Sequence, residues 1–345
     1  MFFLMPKRHH YVPVTYLKNF CDASGQLQVF RKDDPARPFR QRPESTGFER
    51  YYYSQFDDKG LRDDDRLEAI FSEIEAKWPT IVAALANREV MFEAAPHIIT
   101  FLGLMRVRVP AFRDPAELHL GHSVHTQALL MHAAGKLPPL PDGYPDLMEK
   151  IRVTIDPQKS LEMMAQALGE MGKLFSELSF DVLHNATDQA FLTSDNPVTY
   201  FDPRVPEPAM LPYTIAHGAS RIELLFPVST TMVLRGRSRP RRTDIGHRTI
   251  ADRRTIARIN RLICRFGYRT IFASNTREAP LIASTAAVSP VARLDRLPAP
   301  DGCYYSFGQF IFGPRVDKPK WDGPRESARM LAANGEPADE PEAAP

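Results

Sequence analysis

Three cysteines in 345 residues, Cys21, Cys264 and Cys303, are too few and too far apart for a disulfide scaffold or a C-x-x-C zinc or redox pair. So sparse and odd a set fits a reducing compartment, and the expected location is cytoplasmic. No stretch approaches the roughly 18 consecutive apolar residues of a membrane helix, so no membrane partner is expected. The opening MFFLM is short for a signal-peptide core and no cation precedes it. Met5, which opens MPKRHHYVP, is an alternative start. There is no G-x-x-x-x-G-K-[ST], no G-x-G-x-x-G and no G-x-S-x-G, which argues against P-loop NTPases, dinucleotide enzymes and α/β-hydrolases. No E-x-K follows Asp195, so the carboxylate–lysine ending of the common restriction-nuclease core is missing too. Lysine and arginine nearly balance aspartate and glutamate, leaving a net charge of +2 that names no partner.

Proline is abundant instead. Its 31 copies are nearly twice the usual share of roughly 5%. They gather at 35–43, 138–145, 203–212, 280–300 and 314–345, where stiff or irregular loops are expected.

Between these loops the apolar spacing changes along the chain. Residues 11–32 read as short strand-like pieces and 33–46 as a polar, proline-rich loop. DDDRLEAIFSEIEAKWPTIVAAL places Leu67, Ile70, Ile74, Trp78 and Ile81 on one helical stripe, with Pro79 a candidate kink. Further helices are expected over 95–109, 115–134 and 157–178. FDVLHNA and QAFLTSD then read as two strands joined near 186–188. VTYFD, RIELLFPVS and TTMVLRG follow, then a helix over 249–265, GYRTIFASN and a late strand, YYSFGQFIF. The expected fold class is α+β: a helical middle segment packed with a mixed, mainly antiparallel sheet. One domain is expected over 5–313, with an N-terminal β piece at 7–56, a helical region at 63–178 and a β-rich region at 179–313. The polar tail 314–345 reads as disordered.

Two motifs carry candidate chemistry. In KRHHYVPVTYLKNF, His9 and His10 are adjacent, and in an extended chain neighbours face opposite ways. One could serve as a metal ligand or general base while the other packs. In FLTSDNPVTYF, Asp195 and Asn196 follow a β-run, where they could bind a metal, orient a histidine or close an Asx turn. Imidazole plus carboxylate is the least that a hydrolytic metal site or an acid–base pair needs. The metal set is then His10, Asp195 and Glu49, for a divalent ion of unknown identity. Glu223 is a further carboxylate, with pairing to an arginine as its other reading. His122, His125 and His132 share one helical face but lack the i,i+4 spacing of H-E-x-x-H, so a polar face is the favoured reading.

These segments, together with IELLFPVS (222–229 with Arg221 preceding) and INRLICRFGYRTIFAS, resemble the domain-of-unknown-function family 4238, whose members open with His-His-Tyr-Val-Pro. The resemblance spans about Lys7 to Ser274. The family pattern has Gln after the Pro where this chain has Val14. The resemblance brings no assigned activity and no catalytic residues.

Charge supplies the last feature. Residues 235–269 hold twelve arginines, no lysine, and only Asp244 and Asp252 against them. Guanidinium forks match phosphate oxygens, and Arg237, Arg239, Arg241, Arg242 and Arg254 are the candidate nucleic-acid contacts. The leading expectation is a metal-dependent, nuclease-like hydrolase with His9, His10, Asp195 and Asn196 as catalytic candidates. The alternative is a non-catalytic nucleic-acid- or protein-binding module in which both motifs are structural.

Overall fold

The computed structural model describes residues 7–56, 61–89, 94–213, 221–238, 244–299 and 302–318, with the backbone alone for 294–308. The fold class is α+β, with a helical middle between two β regions.

The described residues begin with β1 (Arg8–His10), followed by a short helix α1 (Val14–Leu17), β2 (Leu27–Arg31) and β3 (Asp34–Gln41). The structure thus corrects the reading of 11–20 as strand-like and of 33–46 as loop. Pro13 leads into α1, where its fixed φ suits a helix start. Pro35 and Pro38 fit inside β3 because β3 is the edge of its sheet, where a missing N–H breaks no ladder. β4 (Phe48–Arg50) pairs with β1, and a two-stranded ribbon, β5 (Gln55–Phe56) with β6 (Arg62–Asp63), leads into the helices.

The stripe expected as one kinked helix is two, α2 (Arg66–Ala76) and α3 (Trp78–Ala86), with Pro79 in the first turn of the second, where no intrahelical N–H is lost. α4 (Ala95–Val107) and α5 (Pro110–Ala133) follow. α5 starts five residues earlier than Pro115 predicted, because Pro110 already occupies its first turn. α6 (Leu147–Lys150) and α7 (Pro157–Ser176) complete the middle, with the Asp156 carboxylate capping α7 at Gln158 N.

The β-rich half holds β7 (Ser179–Asn185), β8 (Thr193–Ser194), β9 (Thr199–Phe201), β10 (Glu223–Ser229), β11 (Met232–Arg237) and β12 (Gly246–Ile250). Then come α8 (Arg253–Phe266), β13 (Thr270–Ala273), α9 (Ala279–Thr285) and the hairpin β14 (Ser289–Ala299)–β15 (Gly302–Gly313). β7 and β8 are not partners. β7 lies between β11 and β12 in a sheet ordered β12-β7-β11-β10-β9, and β8 joins β13 in a second sheet ordered β3-β2-β13-β8. Only β12–β7 is parallel in that first sheet. Tail residues 319–345 lie outside the described residues.

Strand alternation divides the core. Val182, Leu224, Phe226 and Leu234 face α1, α3, α4 and α7. Leu183, Leu225 and Val233 face α8. A period of two puts successive residues on opposite faces, so the five-stranded sheet separates two apolar layers. The N-terminal piece is not separate from the later sheets: β2 runs between β3 and β13.

Candidate functional site

The segments singled out in the sequence meet at two places. The first is Tyr16, wholly buried on α1. Its hydroxyl donates to the Pro227 carbonyl of β10 at 2.9 Å and accepts from the Thr193 hydroxyl of β8 at 2.6 Å. One phenol thereby ties KRHHYVPVTYL to FLTSDNP and to IELLFPVS.

The second is Arg269, just before β13. Its N–H donates to Asp195 Oδ2 at 2.7 Å, and its carbonyl accepts from the Lys32 amide at 2.9 Å. Its guanidinium reaches Glu49 Oε1 and Asp114 Oδ2, both at 2.5 Å. Burial works against the charge, but Asp114 and Glu49 raise the Arg269 pKa further above its ordinary value. Asp114 and Glu117, both buried on α5, also share the Lys318 ammonium, at 3.2 and 2.6 Å.

Asp195 is wholly buried and both its oxygens are engaged, Oδ1 by Tyr268 N–H at 2.8 Å and Oδ2 by Arg269 N–H. Burial raises its pKa, while those amides and the charges of Arg269 and Lys32 oppose the rise. The Asn196 side-chain amide donates to the Phe266 carbonyl at 2.6 Å and to the Tyr213 hydroxyl. The Ser-Asp-Asn-Pro segment thus holds the end of α8 and the turn into β13. Gly267 makes that approach possible. A Cβ there would overlap Ile271 and press Ser194 Cβ at 3.2 Å. From the other side, the Lys32 ammonium caps α8 by donating to the Cys264 and Gly267 carbonyls at 2.9 and 2.8 Å. Burial brings the Lys32 pKa down to about 8.

The two histidines divide as an extended chain requires. His9 lies opposite Glu49 in the β1–β4 ribbon, and His10 opposite Phe48 on the other face. His9 is wholly buried, stacks on Tyr53, and its Nδ1 accepts the Tyr53 N–H at 2.8 Å. A neutral ring accepting at Nδ1 carries its proton on Nε2, so Nε2 has no lone pair for a metal. Burial lowers the His9 pKa and holds the ring neutral. His10 Nε2 contacts the Glu44 carbonyl at 3.3 Å, and burial lowers its pKa as well. Of the expected metal set, His10 and Glu49 occupy opposite faces of the ribbon, Glu49 is engaged by Arg269, and each Asp195 oxygen accepts a backbone amide. Among the described residues no group of three or more His, Cys, Asp or Glu is placed to hold a metal ion.

The arginine run is mostly engaged within the protein. Arg235, Arg237 and Arg248 converge on Asp181 at 3.3, 3.0 and 3.4 Å. Glu223 stands opposite Arg237 in register. Arg239, Arg241 and Arg242 lie outside the described residues. On α8, Arg254, Arg258, Arg261 and Arg265 fall within about 60° of arc at 100° per residue. The other side of the helix buries Ile256, Ile259, Leu262 and Ile263. Glu207 meets Arg258 and Arg261, its carbonyl accepts from Arg265, and Arg253 pairs with Asp188. The Arg254 side chain is exposed, with no ion pair among the described residues. Beside Arg253 a cleft of about 250 Å³ is lined by Gln189, Asn275, Arg277 and Glu278. On α5, His125 contacts the Met148 carbonyl at 2.6 Å.

Arg269, Asp114, Lys32 and Lys318 are the residues that sequence reasoning missed as site members. Arg269 was in plain view within the arginine run and INRLICRFGYRTIFAS, but nothing local distinguishes it from its eleven companions. A family model described as "Protein of unknown function (DUF4238)" matches residues 8–277. No curated protein and no solved structure matches the chain. No described helix is long and apolar enough to cross a membrane.

Proposed function

The chain belongs to the family described as Protein of unknown function (DUF4238), and on that premise we propose that it is a nucleic-acid-binding module whose His-His-Tyr-Val-Pro and Ser-Asp-Asn-Pro segments are joints of the fold. The observation that carries this reading is the state of Asp195. Each of its oxygens accepts a backbone amide, from Tyr268 and from Arg269, as a carboxylate that ties chain segments together does. The contact surface is the arginine row of α8. Arg254, Arg258 and Arg261 point away from the core on a rigid helix, and Glu207 and Asp188 offset only part of the charge. Guanidinium groups spaced one turn apart suit successive phosphates. The cleft beside Arg253 extends the same surface past the start of the helix.

The test is fluorescence anisotropy with a labelled single-stranded RNA and a labelled DNA duplex at low and moderate salt. Binding that weakens linearly in log Kd against log salt is expected. Arg254→Glu with Arg258→Glu should lower affinity at least about tenfold, since each removes a phosphate contact and adds repulsion. Absence of salt-dependent binding to either probe would end this reading.

A second reading, a nuclease-like hydrolase acting from His9, His10, Asp195 and Asn196, draws on one observation. His9 Nε2 and Asn196 Oδ1 are buried without partners, as polar atoms awaiting a ligand would be. A nuclease assay with added Mg²⁺ or Mn²⁺, abolished by Asp195→Ala at unchanged melting temperature, would favour it over the joint.

A further inference from the structure

Three arginines lie within eight residues where α4 passes into α5, and all three are almost wholly buried: Arg106, Arg108 and Arg113 at 3%, 1% and 1% exposure. Two of them are satisfied. Arg108 reaches the Glu75 carboxylate, the His10 carbonyl and the Tyr53 hydroxyl. Arg113 donates to the Ser160 hydroxyl and to the Tyr52 and Pro157 carbonyls. Arg106 is the exception. Its Nε and Nη1 are buried with no hydrogen-bond partner, and no carboxylate pairs with it among the described residues. A guanidinium cannot discharge by losing its proton, so a buried one without an acceptor is expensive. What it does have is aromatic: its Cζ lies 3.7 Å from the Tyr213 ring centroid and 5.7 Å from that of Phe112. Aromatic faces offset part of the charge but accept no N–H in the guanidinium plane.

The surroundings point the same way. Tyr213 has φ +58°, a left-handed backbone that bulky residues rarely adopt and that persists where surrounding structure imposes it. Its hydroxyl accepts from Asn196, whose Oδ1 is buried and unpartnered as well. Unmet donors on Arg106 and an unmet acceptor on Asn196 thus flank one strained tyrosine.

We propose that Arg106 is the anchor of a buried oxyanion site beside Tyr213, taking a ligand through a carboxylate or phosphoryl group. A carboxylate or phosphoryl group would take two donors along one edge of the guanidinium, Nε or Nη1 together with Nη2, since Nε and Nη1 themselves lie on different edges. Asn196 Oδ1 would accept a hydroxyl proton from the same ligand. The near-complete burial limits the anionic end to a small group. The site is independent of the α8 surface, and its failure would leave the nucleic-acid reading untouched.

The experiment is thermal melting of the full chain in phosphate, in acetate and in chloride at matched ionic strength and pH, for the wild type and for Arg106→Met. Phosphate or acetate is expected to raise the wild-type Tm over chloride by on the order of 3 °C at about ten times Kd. That rise is expected to vanish in Arg106→Met, which should melt in chloride no lower than the wild type because an unpaired buried charge has gone. A response to phosphate alone assigns a phosphoryl ligand, and one to acetate alone a carboxylate. The proposal is overturned if neither anion moves the wild-type Tm beyond chloride, or if Arg106→Met responds as the wild type does. Should Arg106→Met fail to fold, Arg106→Lys keeps the charge without the fork, and an undiminished response there overturns the proposal equally.

Discussion

Arginine meets carboxylate in two settings in this protein. At Arg269 the partners come from β4 and α5, the carboxylate of Asp114 is buried, and the same residue's amide holds Asp195. On α8, Arg258 and Arg261 share Glu207 at the surface, with their side chains more than 40% exposed. The chemistry is the same and the consequence differs. In the first setting Asp114 has already left water, so removing Arg269 strips a buried carboxylate of its guanidinium partner, while Glu49 stays half-exposed. In the second, water replaces whatever is lost, and the charge stays available to an outside partner. The first is how the fold holds its N-terminal and Ser-Asp-Asn-Pro segments together; the second is the surface on which the proposed function rests.

The largest effect expected from breaking this contrast is at Arg269. Arg269→Met leaves the buried Asp114 carboxylate with Lys318 as its remaining cation and should cost about 1.5–3 kcal/mol in urea unfolding. Arg261→Met should stay within about 0.5 kcal/mol, as surface substitutions do. Equal losses at the two positions would erase the distinction. Next comes Tyr16→Phe, which removes one oxygen from the core and leaves the Pro227 carbonyl and Thr193 hydroxyl unpaired. A loss of about 1–3 kcal/mol is expected in the same measurement.

Double-mutant cycles sharpen the comparison further. The Asp114–Arg269 pair should show a coupling of about 1–3 kcal/mol. The Glu207–Arg261 pair should show about 0.2–1 kcal/mol, declining as salt is added.

The smallest expected effect is on pH dependence. Burial depresses the His9 pKa below its ordinary value near 6.5. The unfolded chain therefore takes up a proton that the folded one refuses. The stability this ring contributes is whole above about pH 6.5 and is lost as pH falls below it. Urea midpoints at pH 7.5 and about 5.5 should show that decline. His9→Gln should flatten it by up to about 1 kcal/mol.

What could be read from the chain was what depends on local pattern. Helix stripes at 95–107 and 157–176 and the β-runs at 179–185 and 223–237 follow from spacing alone. β3 was hidden because its two prolines read as loop, and only its place at a sheet edge makes them tolerable. The helix start at Pro110 was missed in favour of Pro115, which left Asp114 outside any element and out of consideration. β14 was missed as part of a proline-rich stretch, although its partner β15 was anticipated. His9, Asp195 and Asn196 were singled out from residue type, and they do sit where chain segments meet. The type did not say what they touch. Arg269 joins Glu49 across 220 positions of sequence, and no window along the chain connects the two. Arg106 sits in an apolar helix pattern, FLGLMRVRV, where only the absence of a partner in three dimensions sets it apart from Arg108.

The most direct test of the joint is the unfolding free energy of Asp195→Ala, measured beside the nucleic-acid affinity of the same protein. Removing the carboxylate leaves the buried amides of Tyr268 and Arg269 without an acceptor, and a loss of about 2–4 kcal/mol is predicted. Affinity at a temperature where the variant remains folded should be unchanged. Wild-type stability together with abolished binding or a lost hydrolytic activity would contradict the account and make Asp195 a working residue of a site.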